Sequence, residues 1–277
     1  MQTLDGRQLA QKLTTELIQR VKRLPFAPRL AIVQVGHDPT SERYVRAKIT
    51  KAQEIGIKTL HVQVNSEISE KKLLDLVRKN SLSAEGLIVQ LPLPSKVNSR
   101  RVLDAVPPWK DVDGLSSLNK KVIPATPRAI LALLDYYGIK IANRTVVVVG
   151  QSLLVGSPVS DLCEKKGARV IRLDKNTGIA QAKLADILIV ATGVASLIKA
   201  EHIKKGAVII DVGINEVGVL PSFKKVVGDV DKKSVKHKAG ALSPVPYGVG
   251  PVTILMLLTN LVELVEQAQK SVSTKVL

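Results

Sequence analysis

Three residues stand at a spacing that could bring a lysine and a tyrosine to one catalytic centre. Ser41, Tyr44 and Lys48 occur at i, i+3 and i+7 of a segment that opens with Asp38-Pro39, a typical helix start. On a helix these side chains share one face. A lysine there can take and return a proton if burial or nearby positive charge lowers its pKa. An ordinary solvated helix surface would show the same spacing.

Two further polar positions follow a predicted strand and a predicted linker. Gln90 stands at the carboxyl end of the apolar run 86–91, where α/β sheets bind ligands, although its side chain could instead cap the proline-rich loop that follows. Asp111 and Asp113 place two carboxylates before Gly114. The alternatives for this pair are an ordinary Asp-Gly turn or a loose cation loop.

A glycine-bearing turn joins a strand of valines to a predicted helix. The turn reads Gly150-Gln151-Ser152-Leu153-Leu154-Val155-Gly156. Such a turn lets backbone amides approach a pyrophosphate, and the amino terminus of the helix adds favourable partial charge. The spacing differs from the common Gly-x-Gly-x-x-Gly, and many α/β turns carry two glycines. The turn therefore indicates a Rossmann-like nucleotide site but does not establish one.

Positions at the ends of later strands add to this interpretation. Asp174 could bind the ribose hydroxyls of a dinucleotide and disfavour a 2′-phosphate, whereas Arg172 could favour one. Asp174 could equally be a simple turn residue. Glycines at the next strand ends would remove side chains from the edge that a nicotinamide occupies. The positions assigned to the cofactor there are Thr192, Gly193, Gly213 and Ile214.

Alternating strands and helices predict an α/β fold with parallel sheets in two domains. We expect an amino-terminal catalytic domain at 1–117 and a Rossmann-like NAD(P)-binding domain at 118–253. The predicted strands are 30–35, 59–64, 86–91, 145–149, 169–173, 187–191 and 207–212. The predicted helices are 4–24, 38–54, 70–80, 98–105, 126–137, 156–167 and 253–267.

The composition excludes several kinds of site. Cys163 is the single cysteine among 277 residues, so neither an internal disulfide nor a cysteine metal cluster can form, and the four histidines show no ligand spacing. No signal peptide and no apolar run of about 20 residues is evident, so we expect a cytoplasmic protein without a membrane partner. The net charge of +17 is spread along the chain without interleaved aromatics, which argues against a nucleic-acid partner.

With these residues in place, the chain resembles the bifunctional methylenetetrahydrofolate dehydrogenase–cyclohydrolase family over nearly its full length. One matching stretch would be weak, but their joint occurrence in this order is highly specific. The stretches are Asp5-Gly6 with Ala10, Val35-Gly36, Pro39 with Ser41, Tyr44, Val45 and Lys48, 89–94, 110–114, Thr126-Pro127, 150–156 with Pro158, 211–215, Gly228-Asp229-Val230, and 244–246 with 248–251.

The resemblance implies oxidation of 5,10-methylenetetrahydrofolate with NADP or NAD, hydrolysis of the methenyl product to 10-formyltetrahydrofolate, and a homodimer. It also implies that the carboxyl-terminal helix, at about 254–277, joins the amino-terminal domain. Lys48 would be the main catalytic group, tuned by Gln90, while Tyr44 packs beside the pterin and Asp113 accepts hydrogen bonds from its edge. The other folate-binding positions implied are Ser41, Leu91, Pro92, Pro246 and Gly250. The cofactor positions within the glycine turn are Gly150, Gln151, Ser152, Val155 and Gly156.

Several positions depart from the family pattern. Gln151 replaces the usual Arg or Ala, and Asp174 follows a changed stretch, so NAD is slightly favoured while Arg172 keeps NADP open. Tyr247 stands at a glycine position, where a positive φ would be costly, and Thr50 replaces a common Lys or Arg. The alternatives left open are a monofunctional relative with one of the two activities, or another two-domain dehydrogenase such as the shikimate type.

Overall fold

The computed structural model describes residues 1–119, 121–220 and 223–273. The chain forms two compact units. The first unit comprises Lys12–Ala125 and Ile254–Leu277, and the second comprises Met1–Gln11 and Thr126–Thr253. Each unit contains parallel strands, so the α/β fold class with two parallel-sheet domains is confirmed.

The elements are numbered in chain order. The strands are β1 (Gln2–Thr3), β2 (Arg29–Val35), β3 (Lys58–Val64), β4 (Gly86–Val89), β5 (Thr145–Val149), β6 (Arg169–Leu173), β7 (Ile187–Val190), β8 (Val208–Asp211), β9 (Asn215–Leu220), β10 (Phe223–Val227) and β11 (Ala241–Ser243). The helices are α1 (Gly6–Lys22), α2 (Pro39–Ile55), α3 (Glu70–Leu82), α4 (Ser99–Asp104), α5 (Ala125–Tyr136), α6 (Gly156–Lys165), α7 (Lys232–Val235) and α8 (Val249–Ser273).

The first unit is built on a parallel sheet in the order β3-β2-β4. Ala31, Val33 and Val35 on one face of β2 pack against α3 residues Leu73 and Val77. Both faces of the sheet are covered, which explains why β2 is apolar almost throughout.

The helix that carries the predicted catalytic face begins and ends at strong sequence signals. The Asp38 carboxylate accepts a hydrogen bond from the Ser41 N–H at 2.7 Å, and Pro39 occupies the first turn of α2. Gly56 ends the helix with φ 94°. Asn260, on α8, donates from Nδ2 to the carbonyl oxygen of Val112 at 2.8 Å, so the last helix ties down the segment that contains Asp113.

The second unit contains a parallel sheet whose described strands lie in the order β1-β11-β8-β7-β5-β6. Strand β5 pairs with β6 on one side and with β7 on the other, so the chain reverses its direction of winding at β5. In open α/β sheets nucleotides bind outside the carboxyl ends of the strands at such a switch point. An antiparallel hairpin of β9 and β10 follows β8.

The unit boundaries differ from the predicted domains. Strand β1 pairs with β11, so the first eleven residues belong to the second unit instead of to the predicted domain 1–117. The change of unit falls after Ala125 instead of after residue 117. The hairpin β9–β10 and the strand β11 were not predicted. Residues 274–277 of the predicted carboxyl-terminal helix lie outside the described residues.

Among the described residues, one helical stretch, Val249–Ser271, is long and apolar enough to cross a membrane by length and composition alone. Most of it is buried inside the protein, as is usual for a core helix. Such a single helix is weak evidence, and the absence of a membrane partner stays a prediction.

Candidate active site

Lys48 lies on the buried stripe of α2. The buried residues of this helix are Ser41, Val45, Ala52 and Ile55, and Lys48 continues their three- and four-residue spacing. These residues therefore hold the lysine on the side of the helix that faces the sheet. The lysine is half-buried, which removes part of the water that would otherwise stabilise its charge.

Gln90, which follows the end of β4, accepts a hydrogen bond from Lys48. Lys48 Nζ donates to Gln90 Oε1 at 3.0 Å, while Gln90 Nε2 donates to the carbonyl oxygen of Leu91 at 2.7 Å. Ser41 Oγ donates to the same carbonyl at 3.4 Å, and Gln90 N donates to the carbonyl oxygen of Val33 at 2.8 Å. Because both ends of the amide are engaged, its oxygen is held toward the lysine.

Two opposed effects act on the charges of Lys48 and Asp113. Burial lowers the pKa of Lys48, and attraction to the Asp113 carboxylate partly restores it. Burial likewise raises the pKa of Asp113, while attraction to Lys48 opposes the rise. Desolvation is the larger effect in both cases, so the pKa of Lys48 is lowered and that of Asp113 is raised, and the lowered pKa suits Lys48 to act as a base.

Asp111 and Asp113 have different roles although they are two residues apart. Asp111 is buried and accepts hydrogen bonds from the backbone N–H groups of Gly114 at 3.0 Å and Ser116 at 2.9 Å. Asn119 donates to it at 3.2 Å. Asp111 thereby fixes the segment that presents Asp113, and the two do not form a shared cation loop. The sequence pattern did not distinguish these roles.

Gln34 is a polar neighbour of this site that the sequence analysis did not select. It is 1% exposed on the central strand β2, and the β2–β4 register aligns it with Gln90 on the same face. His61 Nε2 and Gln34 Oε1 lie 3.0 Å apart, whereas Gln34 Nε2 has no hydrogen-bond partner among the described residues. Its signal was a lone polar residue within an apolar strand.

The remaining folate positions are Tyr44, Pro92, Pro246 and Gly250. Tyr44 is half-buried, one turn before Lys48 on α2, and Pro92 is exposed. Pro246 and Gly250 are exposed residues of the second unit, before and at the start of α8. The structure thus groups five of the predicted side chains or their segments. These are Ser41, Lys48, Gln90, Leu91 and Asp113.

The glycine turn after β5 has the packing that a pyrophosphate cradle requires. Gly150 has φ 94°, and a Cβ there would overlap the carbonyl oxygen of Ala191. A Cβ on Gly156 would overlap the carbonyl oxygen of Gly150. Val155, at the start of α6, offers no side-chain acceptor for the first helical N–H groups. The turn therefore fits an anionic ligand held by backbone amides.

Gln151 and Ser152 hydrogen-bond within this turn. Gln151 Nε2 donates to the carbonyl oxygen of Val148 at 3.0 Å, and Ser152 Oγ accepts from Val155 N at 3.3 Å. These local bonds fix the backbone between the two glycines, so the turn is shaped before any ligand binds.

The two residues expected to select between NAD and NADP form hydrogen bonds with residues close to them in the sequence. Arg172 Nη2 donates to Asp161 and Glu164, each at 2.8 Å. The half-buried Asp174 accepts the backbone N–H of Thr177 through its carboxylate, which lowers the pKa of Asp174 and closes a turn. Arg172 is therefore already paired with two carboxylates, while the choice between NAD and NADP stays open.

The next strand ends are held by buried carboxylates. The N–H groups of Thr192 and Gly193 donate to Asp229 Oδ2 at 2.5 and 2.9 Å. A Cβ on Gly213 would overlap the Asp229 carboxylate, so packing against Asp229 requires a glycine at this position. Ile214 beside it is exposed. The sequence analysis quoted Asp229 within a motif but gave it no role.

Among the residues described by the structure, no group of three or more His, Cys, Asp or Glu side chains could hold a metal ion. Cys163 is buried, and burial raises the pKa of its thiol to about 11. Neither observation adds a further site.

Comparison with known protein families identifies the family to which this chain belongs. Residues 4–113 match the model of the tetrahydrofolate dehydrogenase/cyclohydrolase catalytic domain. Residues 124–269 match the model of the NAD(P)-binding domain of the same family. The chain belongs to this family. The resemblance seen in the sequence is thus confirmed, and the alternative of a shikimate-type dehydrogenase is excluded.

Relatives agree over almost the whole chain. The bifunctional protein FolD of Mycoplasma mobile is 42% identical, and the match covers 95% of this chain and 97% of that protein. The crystal structure of the bifunctional enzyme FolD of Campylobacter jejuni has a TM-score of 0.91 at 34% identity, covering 97% of this chain and 99% of that one.

A further solved relative carries a cofactor. The Trypanosoma brucei methylenetetrahydrofolate dehydrogenase-cyclohydrolase, solved with NADP and an inhibitor, has a TM-score of 0.90 at 30% identity. The match covers 95% of this chain and 97% of that one. The tetrahydrofolate dehydrogenase/cyclohydrolase family therefore supplies both the fold and the enzyme class of this chain.

Proposed function

We propose that this chain oxidises 5,10-methylenetetrahydrofolate to the methenyl form with NAD or NADP and hydrolyses that product to 10-formyltetrahydrofolate, with Lys48 as the catalytic group. The observation that carries the proposal is the hydrogen bond from a desolvated Lys48 to the oriented amide of Gln90. It lies within the segment that matches the catalytic domain of the tetrahydrofolate dehydrogenase/cyclohydrolase family.

In the oxidation step the protein mainly binds and orients. When bound, the nicotinamide cofactor supplies the hydride acceptor. The backbone amides of the turn at Gly150 and Gly156 would hold its pyrophosphate. Asp113 accepts hydrogen bonds from the pterin edge and Tyr44 packs beside the ring. Holding the reacting carbon in one orientation lowers the entropic part of the barrier.

In the hydrolysis step Lys48 moves a proton. Water forms a C–O bond to the methenyl carbon and passes a proton to the neutral amine of Lys48. The C–N bond to one ring nitrogen then breaks, and the proton from Lys48 goes to that nitrogen. The remaining hydroxyl proton is released to solvent as the formyl C=O forms. One group can serve as base and then as acid only if its pKa is brought toward neutrality.

Gln90 and Asp113 control the orientation and the pKa of Lys48. Gln90 Oε1 accepts a hydrogen bond from Lys48 Nζ and so fixes the direction of the amine. Asp113 supplies a negative charge that keeps the pKa of Lys48 from falling further under desolvation. The cationic methenyl product lowers the same pKa by repulsion as it forms, so more of the lysine is in the neutral amine form that can accept a proton from water.

One assay with two readouts tests the proposal. Purified protein is given methylenetetrahydrofolate with NAD or with NADP, and both NAD(P)H formation and methenyltetrahydrofolate decay are followed. We expect both signals, with decay above the buffer rate. NAD(P)H formation without faster decay, or the reverse, would instead identify a monofunctional relative. Neither signal with either nucleotide would refute the function.

We also propose that the chain works as a homodimer in the cytoplasm, with folate as its small-molecule substrate and no nucleic-acid or membrane partner. Resemblance to the family supports the dimer, and the dispersed positive charge argues against a nucleic-acid site. Light scattering of the purified protein gives the mass directly. A monomer at assay concentration would refute the dimer.

A further inference from the structure

We propose that Asp211 and Asp229 form a carboxylate latch that positions the nucleotide-facing loops of the second unit for hydride transfer. The inference rests on the proposed dehydrogenase activity and adds two positioning residues to it. The carboxylate latch consists of these two side chains. Both carboxylates are buried, with 3% of Asp211 and none of Asp229 exposed.

Asp229 holds the loop after β7 and the start of β9. Its Oδ2 accepts the N–H groups of Thr192 at 2.5 Å and Gly193 at 2.9 Å, together with the hydroxyl of Thr192 at 2.9 Å. Its Oδ1 accepts Asn215 Nδ2 at 2.8 Å. Hydrogen bonds to an ionised acceptor are the strongest of their kind, so this loop is fixed by one side chain.

Asp211 holds the segment that carries Asp229. Its Oδ1 accepts the N–H groups of Gly213 and Asp229, each at 3.0 Å, and its Oδ2 accepts Val230 N at 3.0 Å. Burial raises the pKa of Asp211 to about 7, against the lowering effect of these backbone bonds. The two carboxylates thus act in series, since one positions the backbone that delivers the other.

Glycines make room for both side chains. A Cβ on Gly213 would overlap the Asp229 carboxylate, and a Cβ on Gly228 would overlap that of Asp211. A Cβ on Gly150 would overlap the carbonyl of Ala191, the residue before Thr192. Close packing therefore links the pyrophosphate turn to the loop that Asp229 holds.

The position of the latch gives it a role beyond stability. Strands β5, β7 and β8 are adjacent, and the loops after them are the edge on which a parallel sheet binds a nucleotide. A donor or ring misplaced by about 1 Å can cost on the order of 100-fold in rate. A loosened latch should therefore impair the step that uses nicotinamide and spare the hydrolysis of methenyltetrahydrofolate.

The test compares both activities and nucleotide binding in Asp229→Asn. Because it removes a charge-assisted acceptor, we expect the Kd and KM for NAD and NADP to rise about tenfold or more. Cyclohydrolase activity on supplied methenyltetrahydrofolate should stay within about twofold of wild type. The matched control is Asp231→Asn, which removes a nearby carboxylate that caps α7, and it should leave the nucleotide constants unchanged.

A milder variant and a double-mutant cycle guard against misfolding. Asn215→Ala removes one donor to Asp229 and should raise the nucleotide KM by a smaller factor. Gly228→Ala should be damaging alone but add little in an Asp211→Ala background, because the carboxylate that a Cβ on Gly228 would overlap is gone. Strictly additive effects of these two changes would overturn the proposed contact.

The outcomes separate the latch from the proposed function. Unchanged nucleotide constants in Asp229→Asn, or an equal loss of both activities in Asp229→Asn and Asn215→Ala, would overturn the latch. If wild type binds a nucleotide but oxidises no methylenetetrahydrofolate, the proposed function fails. The nucleotide Kd values of the variants, compared with that of wild type, would still test the latch. If wild type binds neither NAD nor NADP, both proposals are refuted.

Discussion

Lys48 Nζ donates to Gln90 Oε1 across 3.0 Å, linking the middle of α2 to the end of β4. The lysine reaches the glutamine because it occupies the stripe of α2 that faces the sheet, where its neighbours are apolar. The amide oxygen can accept from the amine whether or not the amine is protonated. The hydrogen bond therefore fixes the direction of the Lys48 amine but leaves its protonation state free to change. A catalytic group that must gain and then lose a proton needs this freedom.

Lys48→Met is expected to reduce cyclohydrolase turnover by about 100-fold or more, because general acid–base catalysis is lost. The apolar stem is retained, so the fold should survive. The matched control is Lys51→Met, one turn further along α2, which breaks only a surface pair with Glu54. Near-normal decay of methenyltetrahydrofolate in a folded Lys48→Met protein would contradict the role of Lys48.

Asp113→Asn is expected to move the acidic limb of the cyclohydrolase pH profile to lower pH. Hydrolysis needs neutral Lys48, so the rate rises as pH increases through the pKa of Lys48. The Asp113 charge raises that pKa, and removing the charge lowers it. The KM for folate should also increase. The measurement is kcat against pH for both proteins, and a limb displaced to higher pH would disprove the assigned sign.

Gln90→Glu is expected to shift the same limb in the opposite direction. A carboxylate beside Lys48 Nζ stabilises the ammonium form and raises its pKa. Cyclohydrolase activity at neutral pH should therefore drop and recover as the solution is made alkaline. If Gln90→Glu and Asp113→Asn displaced the limb in the same direction, electrostatic tuning of Lys48 would not explain the site.

Asp174→Ser is expected to raise the ratio of kcat/KM for NADP to that for NAD by about tenfold, a change of about 1.4 kcal/mol. The Asp174 carboxylate follows β6, where it would repel a 2′-phosphate. Asp75→Ser, an exposed carboxylate on α3, serves as the control and should leave the ratio unchanged. An unchanged ratio in Asp174→Ser would show that Asp174 only stabilises the turn and does not select the cofactor.

The elements of the catalytic half could be predicted because their signals are local. The cap at Asp38, the spacing of Tyr44 and Lys48, and the position of Gln90 after an apolar run are all visible in short windows of sequence. The structure adds the contact between Lys48 and Gln90, which are 42 positions apart.

The unpredicted features depend on partners far away in the chain. The two residues of β1 carry no periodic pattern, and their pairing with β11 joins opposite ends of the sequence. Asp229 was quoted within a motif, yet its contacts with Thr192 and Asn215 follow only from the tertiary fold. Gly213 was assigned to the cofactor edge, whereas its lack of a side chain is required by Asp229.

Tyr247 is expected to be replaceable by glycine at little cost. It has φ 82°, a strain of about 1–2 kcal/mol for a residue with a Cβ. Its ring lies under Arg7, with Cζ 4.8 Å from the centroid, a contact worth about 0.5–1 kcal/mol at an exposed site.

Urea denaturation tests this balance through two substitutions at Tyr247. Tyr247→Gly relieves the strain and loses the ring, whereas Tyr247→Ala keeps the strain and loses the ring. We therefore expect Tyr247→Gly to exceed Tyr247→Ala by about 1 kcal/mol in free energy of unfolding. An alanine variant as stable as the glycine variant would show that the backbone strain is negligible.

The route of the chain has a consequence for its synthesis. The polypeptide passes from one unit to the other after Gln11, after Ala125 and after Thr253. No single cut therefore releases either unit whole, and expressing one alone requires joining two separate segments of the chain. On the ribosome, the half that carries Lys48 is made before α8, whose Asn260 secures the Asp113 segment, so that segment is secured only after most of the second unit has been synthesised.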